Sequence, residues 1–136
     1  KYIYLYICMK VAITKGVKIT VETFYQPQYS DVNSEEFLFA YRITITNDSV
    51  HALQLMARHW YIYDLSQAVR EVVGEGVVGQ QPIIYPGESY QYMSGCSINS
   101  EIGMMKGTYQ MRKLKDGQLF EVLIPAFILC TPQKAN

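Results

Sequence analysis

The run GEGVVG at residues 74–79 has the glycine spacing with which dinucleotide-binding folds bring backbone amides up to a pyrophosphate. That chemistry needs a strand before the run and a helix after it, whose free N–H groups and dipole face the anion. Gly79 is followed by QQPIIYPGE, in which Pro82 and Pro86 break a helix and Ile83, Ile84 and Tyr85 favour strand. The preceding LSQAVREVV places Leu65, Ala68, Val69 and Val72 at helical spacing, so any helix here comes before the glycines, in the reverse of the dinucleotide order. Two readings are left. The favoured one is a glycine-hinged crossing between two strands. The other is a helix-free loop in which Gly74, Gly76 and Gly79 turn amides toward an anion, with Arg58 and Arg70 pairing with its oxygens.

Other reactive groups are sparse. His51 and His59 are the only histidines, and eight residues apart on one strand they stand roughly 27 Å from each other, too far to share a metal or a proton. Cys8, Cys96 and Cys130 are odd in number, far apart and without a CxxC pair, which disfavours both a disulfide framework and a structural zinc. Cys8, Trp60 and Cys96 follow the order Cys, Trp, Cys of antibody domains, but the spacing is long and reduced thiols in a cytoplasmic protein are expected. No basic residue adjoins Cys96 in sequence to activate it. Glu71 and Glu75 flank Gly74 and read as a solvated turn. No catalytic residue, metal ligand or cofactor is assigned.

The elements that must position these groups are mostly strands. Val17, Ile19 and Val21 alternate with Lys18, Thr20 and Glu22, and Phe37 to Ile45 alternate with Arg42, Thr44 and Thr46, as half-buried strands do. HALQLMARHWYIYD is apolar on both faces, as a central strand is, and NDSV before it is a turn. YPGE at 85–88 is a tight turn into SYQYMSG, which carries Tyr90 and Tyr92 on one side. MKGTYQMRKL and LFEVLIPAFIL form a last hairpin turning at Asp116 and Gly117, with Pro125 at a bulge or sheet change. The polar stretch 26–36 is a loop. Seven or eight strands with at most one short helix make an all-β, antiparallel β-sandwich.

With 136 residues, one domain is expected. Twelve basic and twelve acidic residues give no net charge, so no long-range field gathers polyanions and nucleic acid is not an expected partner. No segment offers about twenty apolar residues in a row, so no membrane span is expected. The opening KYIYLYIC reads as an extra strand or as a leader before a start at Met9, the latter favoured because ordinary amphipathic sequence begins there.

The blocks VETFYQPQYS, FAYRITITN, LMARHWYI, GEGVVGQQPIIYPGESYQYMSGC, MKGTYQM and VLIPAF follow one another as in the ApaG family, which the chain resembles from about Lys15 to Leu129. The resemblance implies an N-terminal extension and first strand region over 1–14, an ApaG domain over 15–130 and a tail over 131–136. It implies a sandwich of the immunoglobulin or fibronectin type III kind and a bacterial protein. It also implies an indirect link to diadenosine tetraphosphate metabolism and to cobalt and magnesium tolerance, and a proposed pyrophosphate role for Gly74, Gly76 and Gly79. Val73 departs from the family pattern, which often has a polar residue there.

Two functions are expected from this. The first is a non-enzymatic module for protein contacts, with Tyr85, Tyr90 and Tyr92 as its interaction surface and an unidentified protein, or a second copy in a homodimer, as partner. The alternative is a nucleotide or polyphosphate binder that uses the glycine loop. It requires the amides of 74–79 to converge on a concavity within reach of Arg58 or Arg70.

Overall fold

The structure is a computed structural model and describes residues 7–135. Nine strands follow in order: β1 (Ile7–Thr14), β2 (Val17–Tyr25), β3 (Phe37–Asn47), β4 (Leu53–Asp64), β5 (Gln67–Glu75), β6 (Ile83–Ile84), β7 (Ser89–Ile98), β8 (Ile102–Lys113) and β9 (Leu119–Cys130). They form two antiparallel sheets, one of order β1-β2-β3-β7 and one of order β5-β4-β8-β9, with β6 also paired to β4. The expected antiparallel sandwich is what the chain forms. Residues 7–14 of the opening stretch form an edge strand, with Cys8 opposite Thr23; residues 1–6 lie outside the described residues.

Period-two alternation builds the core directly. Every second residue of β2 and β3 is buried, and Val17, Ile19, Ile43 and Ile45 have no measurable exposure. Burying each such side chain contributes about 1.5–3 kcal/mol relative to leaving it in water. Opposite them stand Leu55, Met105, Tyr109, Met111 and Phe127 from the second sheet. Trp60 packs edge-on to Tyr41 with ring centroids 5.5 Å apart and perpendicular to Phe127 at 5.9 Å, geometries that aromatic quadrupoles favour.

Irregularities decide which side chains face where. Against β8, β4 shifts register between Leu55 and Ala57, so Met56 is an extra residue and the alternation changes phase. After the bulge Arg58, Trp60, Ile62 and Asp64 face inward, and Ala57, His59 and Tyr61 outward. On β9, Met105 pairs with Phe127 and Gly107 with Ile124, which leaves Pro125 and Ala126 as the bulge expected at that proline. An added Cβ on Gly107 would stand 2.1 Å from the His59 carbonyl oxygen, so only glycine lets β8 approach β4 there.

Three expectations are corrected. LSQAVREVV is not helical: residues 67–75 are β5, paired antiparallel with β4. A nine-residue helix is marginal alone, whereas β4 offers a complete ladder and Val69, Val72 and Val73 suit a strand. The two histidines do not share a strand, because β4 begins at Leu53 and His51 lies in the bend before it. The tyrosine side of β7 faces the core: Tyr92 is 8% exposed and its hydroxyl hydrogen-bonds that of Tyr109 at 2.5 Å, while Tyr90 is half-buried against the core.

Candidate functional site

The glycine run lies between extended segments on both sides. Gly74 is inside β5, and its backbone is flanked by the Arg58 guanidinium, 2.8 Å from where a Cβ would stand. Arg58 turns one of its guanidinium nitrogens to the loop itself. Its Nη1 donates to the carbonyl oxygens of Glu75 at 3.0 Å and Gly76 at 2.9 Å, and its charge bears on the buried hydroxyls of Tyr41, Tyr92 and Tyr109. Burial pushes all three phenols above the ordinary tyrosine value, and Arg58 works against that rise.

Beyond Gly74 the loop closes on itself. The Gly76 amide donates to the Met56 carbonyl at 2.9 Å, and Val77 and Gln80 exchange both backbone bonds at 2.8 Å around a tight turn. Val78 and Gly79 both have positive φ, 42° and 78°, as a type I′ turn requires. Val77 is fully buried and anchors this turn to the core. A Cβ on Gly76 would stand 2.2 Å from the Gln80 carbonyl oxygen. The amides of Gly76, Val77 and Gln80 are therefore spent within the loop and do not converge on an open concavity.

Arg70 is on the other side of β5's reach. Its Nη2 donates to the Ser97 carbonyl at 2.7 Å and lies 3.9 Å from Cys96 Sγ, tying the two sheets across their open side. The structure does not bring Arg58 and Arg70 together on one ligand. Cys96 thus has a basic neighbour in space that its sequence neighbours do not reveal, yet burial dominates and pushes its thiol up. Cys8, Cys96 and Cys130 are all free thiols.

The outer face of the five-stranded sheet brings together residues the sequence had left apart, and Glu71 and Glu75 lie in strand β5, paired with Tyr61 and Ala57, rather than in the solvated turn expected of them. His59 Nε2 hydrogen-bonds the Glu71 carboxylate, and its ring stacks on Tyr61 at 4.7 Å. Beside them a hollow of about 210 Å³ is lined by His59, Val73, Thr108, Gln110 and Glu121. Along the same sheet lie two apolar grooves. One, of about 390 Å³, has walls from Tyr63, Leu65, Val69, Met104 and Ile128; the other, of about 340 Å³, from Tyr61, Lys106, Leu123 and Pro125. Leu65, Val69 and Leu123 are 80%, 51% and 58% exposed, whereas of the three expected surface tyrosines only Tyr85 is exposed. Outward phase on β4 was the available signal for this face, and the Met56 bulge concealed it.

Among the described residues no group of three His, Cys, Asp or Glu is placed to hold a metal, and no helix is long and apolar enough to cross a membrane. Asp64 is buried at the end of β4. Its carboxylate accepts from Asn99 N, Ser100 Oγ, Gln67 Nε2 and both Ser66 N and Oγ, at 2.6–3.0 Å. Burial alone would push this carboxyl up, but those hydrogen bonds together outweigh it and hold it far below the usual range.

The ApaG domain family model matches residues 27–113. The chain belongs to the ApaG family. Protein ApaG of Brucella canis is 46% identical over 93% of this chain and 96% of its own, and that of Brucella anthropi 46% over 90% and 94%. Among solved structures, a protein described as ApaA from Bordetella pertussis superposes with TM-score 0.82 at 43% identity, over 86% of this chain and 94% of that one. A second solved chain, a structural-genomics target, gives 0.80 at 41% identity over 86% and 88%. The ApaG blocks quoted from the sequence thus fall on β2, β3, β4, the loop and β7, β8 and β9 of a shared fold.

Proposed function

We propose that this ApaG-family chain is a non-enzymatic interaction module that docks another protein on the outer face of its five-stranded sheet. The observation that carries the reading is the apolar ground on that face, running from Leu65 and Val69 through Tyr63 and Met104 to Ile128. Solvent-facing positions of a half-exposed sheet are usually polar, and contiguous apolar surface of this kind marks contact sites. Lys106 stands among these residues with its ammonium 5.7 Å from the Tyr63 ring and has no carboxylate partner among the described residues. The fitting partner therefore presents an apolar strand or loop flanked by a carboxylate. Any connection to dinucleoside polyphosphates or to divalent-cation tolerance runs through that partner.

A photo-crosslinking residue placed at Met104, with one at Thr20 on the opposite sheet as control, tests this in cells. The expected result is a discrete adduct from position 104 alone, whose purified partner binds the wild type and loses at least tenfold affinity for Tyr63→Asp. Equal adducts from both positions, or binding indifferent to Tyr63→Asp, overturn the reading.

A further inference from the structure

The two open flanks of the sandwich are treated differently. On one, β1 packs along β9 and Thr14 Oγ1 accepts from the Leu123 amide at 3.2 Å, closing the seam. On the other, β5 pairs with β4 alone among the described residues. Since the Gly76 amide donates to Met56 of β4, antiparallel alternation turns the backbone groups of Gly74, Val72 and Arg70 toward β4. Those of Glu71 and Val73 point outward, without a backbone partner among the described residues, as does the N–H of Glu75, whose carbonyl is held by Arg58.

Natural edge strands are blunted by proline, lysine, bulges or projecting charge. From Arg70 to Glu75 the strand has no proline, lysine or bulge. Its two central charges are drawn aside, Arg70 to the Ser97 carbonyl and Glu71 to His59. Apart from Glu75 at its end, what remains at the edge is β-branched and apolar: Val69, Val72 and Val73 are 51%, 38% and 68% exposed.

We propose that β5 is the edge through which two copies of this chain join, antiparallel about a two-fold axis at Val72, so that the five-stranded sheets become continuous. With the axis there, over the regular stretch from Arg70 onward, Glu71 lies across from the partner's Val73 and Arg70 across from the partner's Gly74. No like charges face each other directly. Moving the axis to residue 71 sets Glu71 against the partner's Glu71, and moving it to 73 sets Glu71 against the partner's Glu75; directly opposed like charges destabilise a strand pair. The turns flanking β5 are also symmetric about Val72. Exposed apolar residues, Leu65 and Val78, stand at the two ends of β5 and extend the apolar edge beyond the ladder. This pairing uses the strand edge, touches the docking face only at its Leu65 and Val69 margin and leaves Tyr63, Met104 and Ile128 open, so the sedimentation test reads it separately from the docking reading.

Sedimentation velocity of the full chain over about 1–200 µM tests it. The expected species has twice the 15.6 kDa chain mass. Val72→Glu and Val72→Lys each place like charges on the axis and are expected to sediment as monomers, while their equimolar mixture recovers the dimer. Val73→Pro removes an outward N–H without touching the β4 ladder and is expected to raise the dimer Kd about tenfold or more. Circular dichroism and thermal unfolding establish that each variant is folded. A wild type monomeric throughout, or a dimer that survives both Val72→Glu and Val73→Pro, overturns the proposal.

Discussion

Arg58 shows how a residue that looks free in sequence is committed in the fold. Facing inward, it holds two carbonyls of the glycine loop, and Gly74 supplies the flat backbone it lies against. The loop's glycines then answer to local geometry, and their substitutions should rank accordingly. Gly76→Ala forces a Cβ against the Gln80 carbonyl at φ 62° and is expected to cost about 2–4 kcal/mol, whereas Gly79→Ala meets open space at φ 78° and costs about 1 kcal/mol. Urea unfolding gives the ranking, and equal costs would contradict it. The same bonding leaves Gly74 and Gly76 nothing to offer an anion, so their amide resonances should stay unmoved by diadenosine tetraphosphate at millimolar concentration, with or without Mg²⁺. Asp64 is the second committed residue. Its folded pKa is depressed from the ordinary 3.8, so its stabilisation is complete above that value and is lost as pH falls through the lower folded value. Asp64→Asn is expected to remove about 2–4 kcal/mol at pH 7, and to flatten the decline of stability below pH 4 that acid titration of the wild type records.

At the scale of elements, the type I′ turn carries a cost that is open to test. Val78 is a β-branched residue at φ 42°, where asparagine or glycine is favoured. Val78→Asn is expected to raise monomer stability by about 1 kcal/mol, measured by thermal unfolding at low protein concentration. How legible each element was depended on its surroundings. The clean alternation of β2 and β3 was readable because one face is core and the other solvent along their whole length. The last hairpin was readable from Asp116, Gly117 and Pro125, whose backbone chemistry is local. β5 was not, because an edge strand half-exposed on both faces loses the alternation that identifies strands, and Leu65, Ala68, Val69 and Val72 fall by chance on a helical period. For Tyr90 and Tyr92 the pattern gave a shared side but not which side is core; that depends on the sheet packed opposite, where Tyr109 waits for the Tyr92 hydroxyl. The candidate face was hidden by a single extra residue, Met56, which inverts every side chain after it.

Across the whole molecule, the asymmetry between a closed and an open flank implies a gradient of local stability. β3, β4 and β8 each have a neighbour on both sides and contribute the fully buried Ile43, Ile45, Leu55, Tyr109 and Met111. Opening any of them exposes the core, so their amides should exchange only by nearly global unfolding. β1 is an edge in its own sheet but lies along β9, and should be protected to an intermediate degree. Among the described residues nothing covers β5, and none of its side chains is fully buried. In dilute protein the amides of Arg70 and Val72, bonded to β4, should exchange through sub-global opening several kcal/mol below the global value, and those of Glu71 and Val73 should exchange almost freely. Raising the concentration into the dimeric range should protect Glu71 and Val73 selectively, while β3 and β8 change little. Hydrogen exchange read residue by residue by NMR at two concentrations separates these outcomes. Slow exchange at Glu71 and Val73 in dilute protein would mean that the β5 edge is already covered within the single chain, and that the open-flank description of the sandwich is wrong.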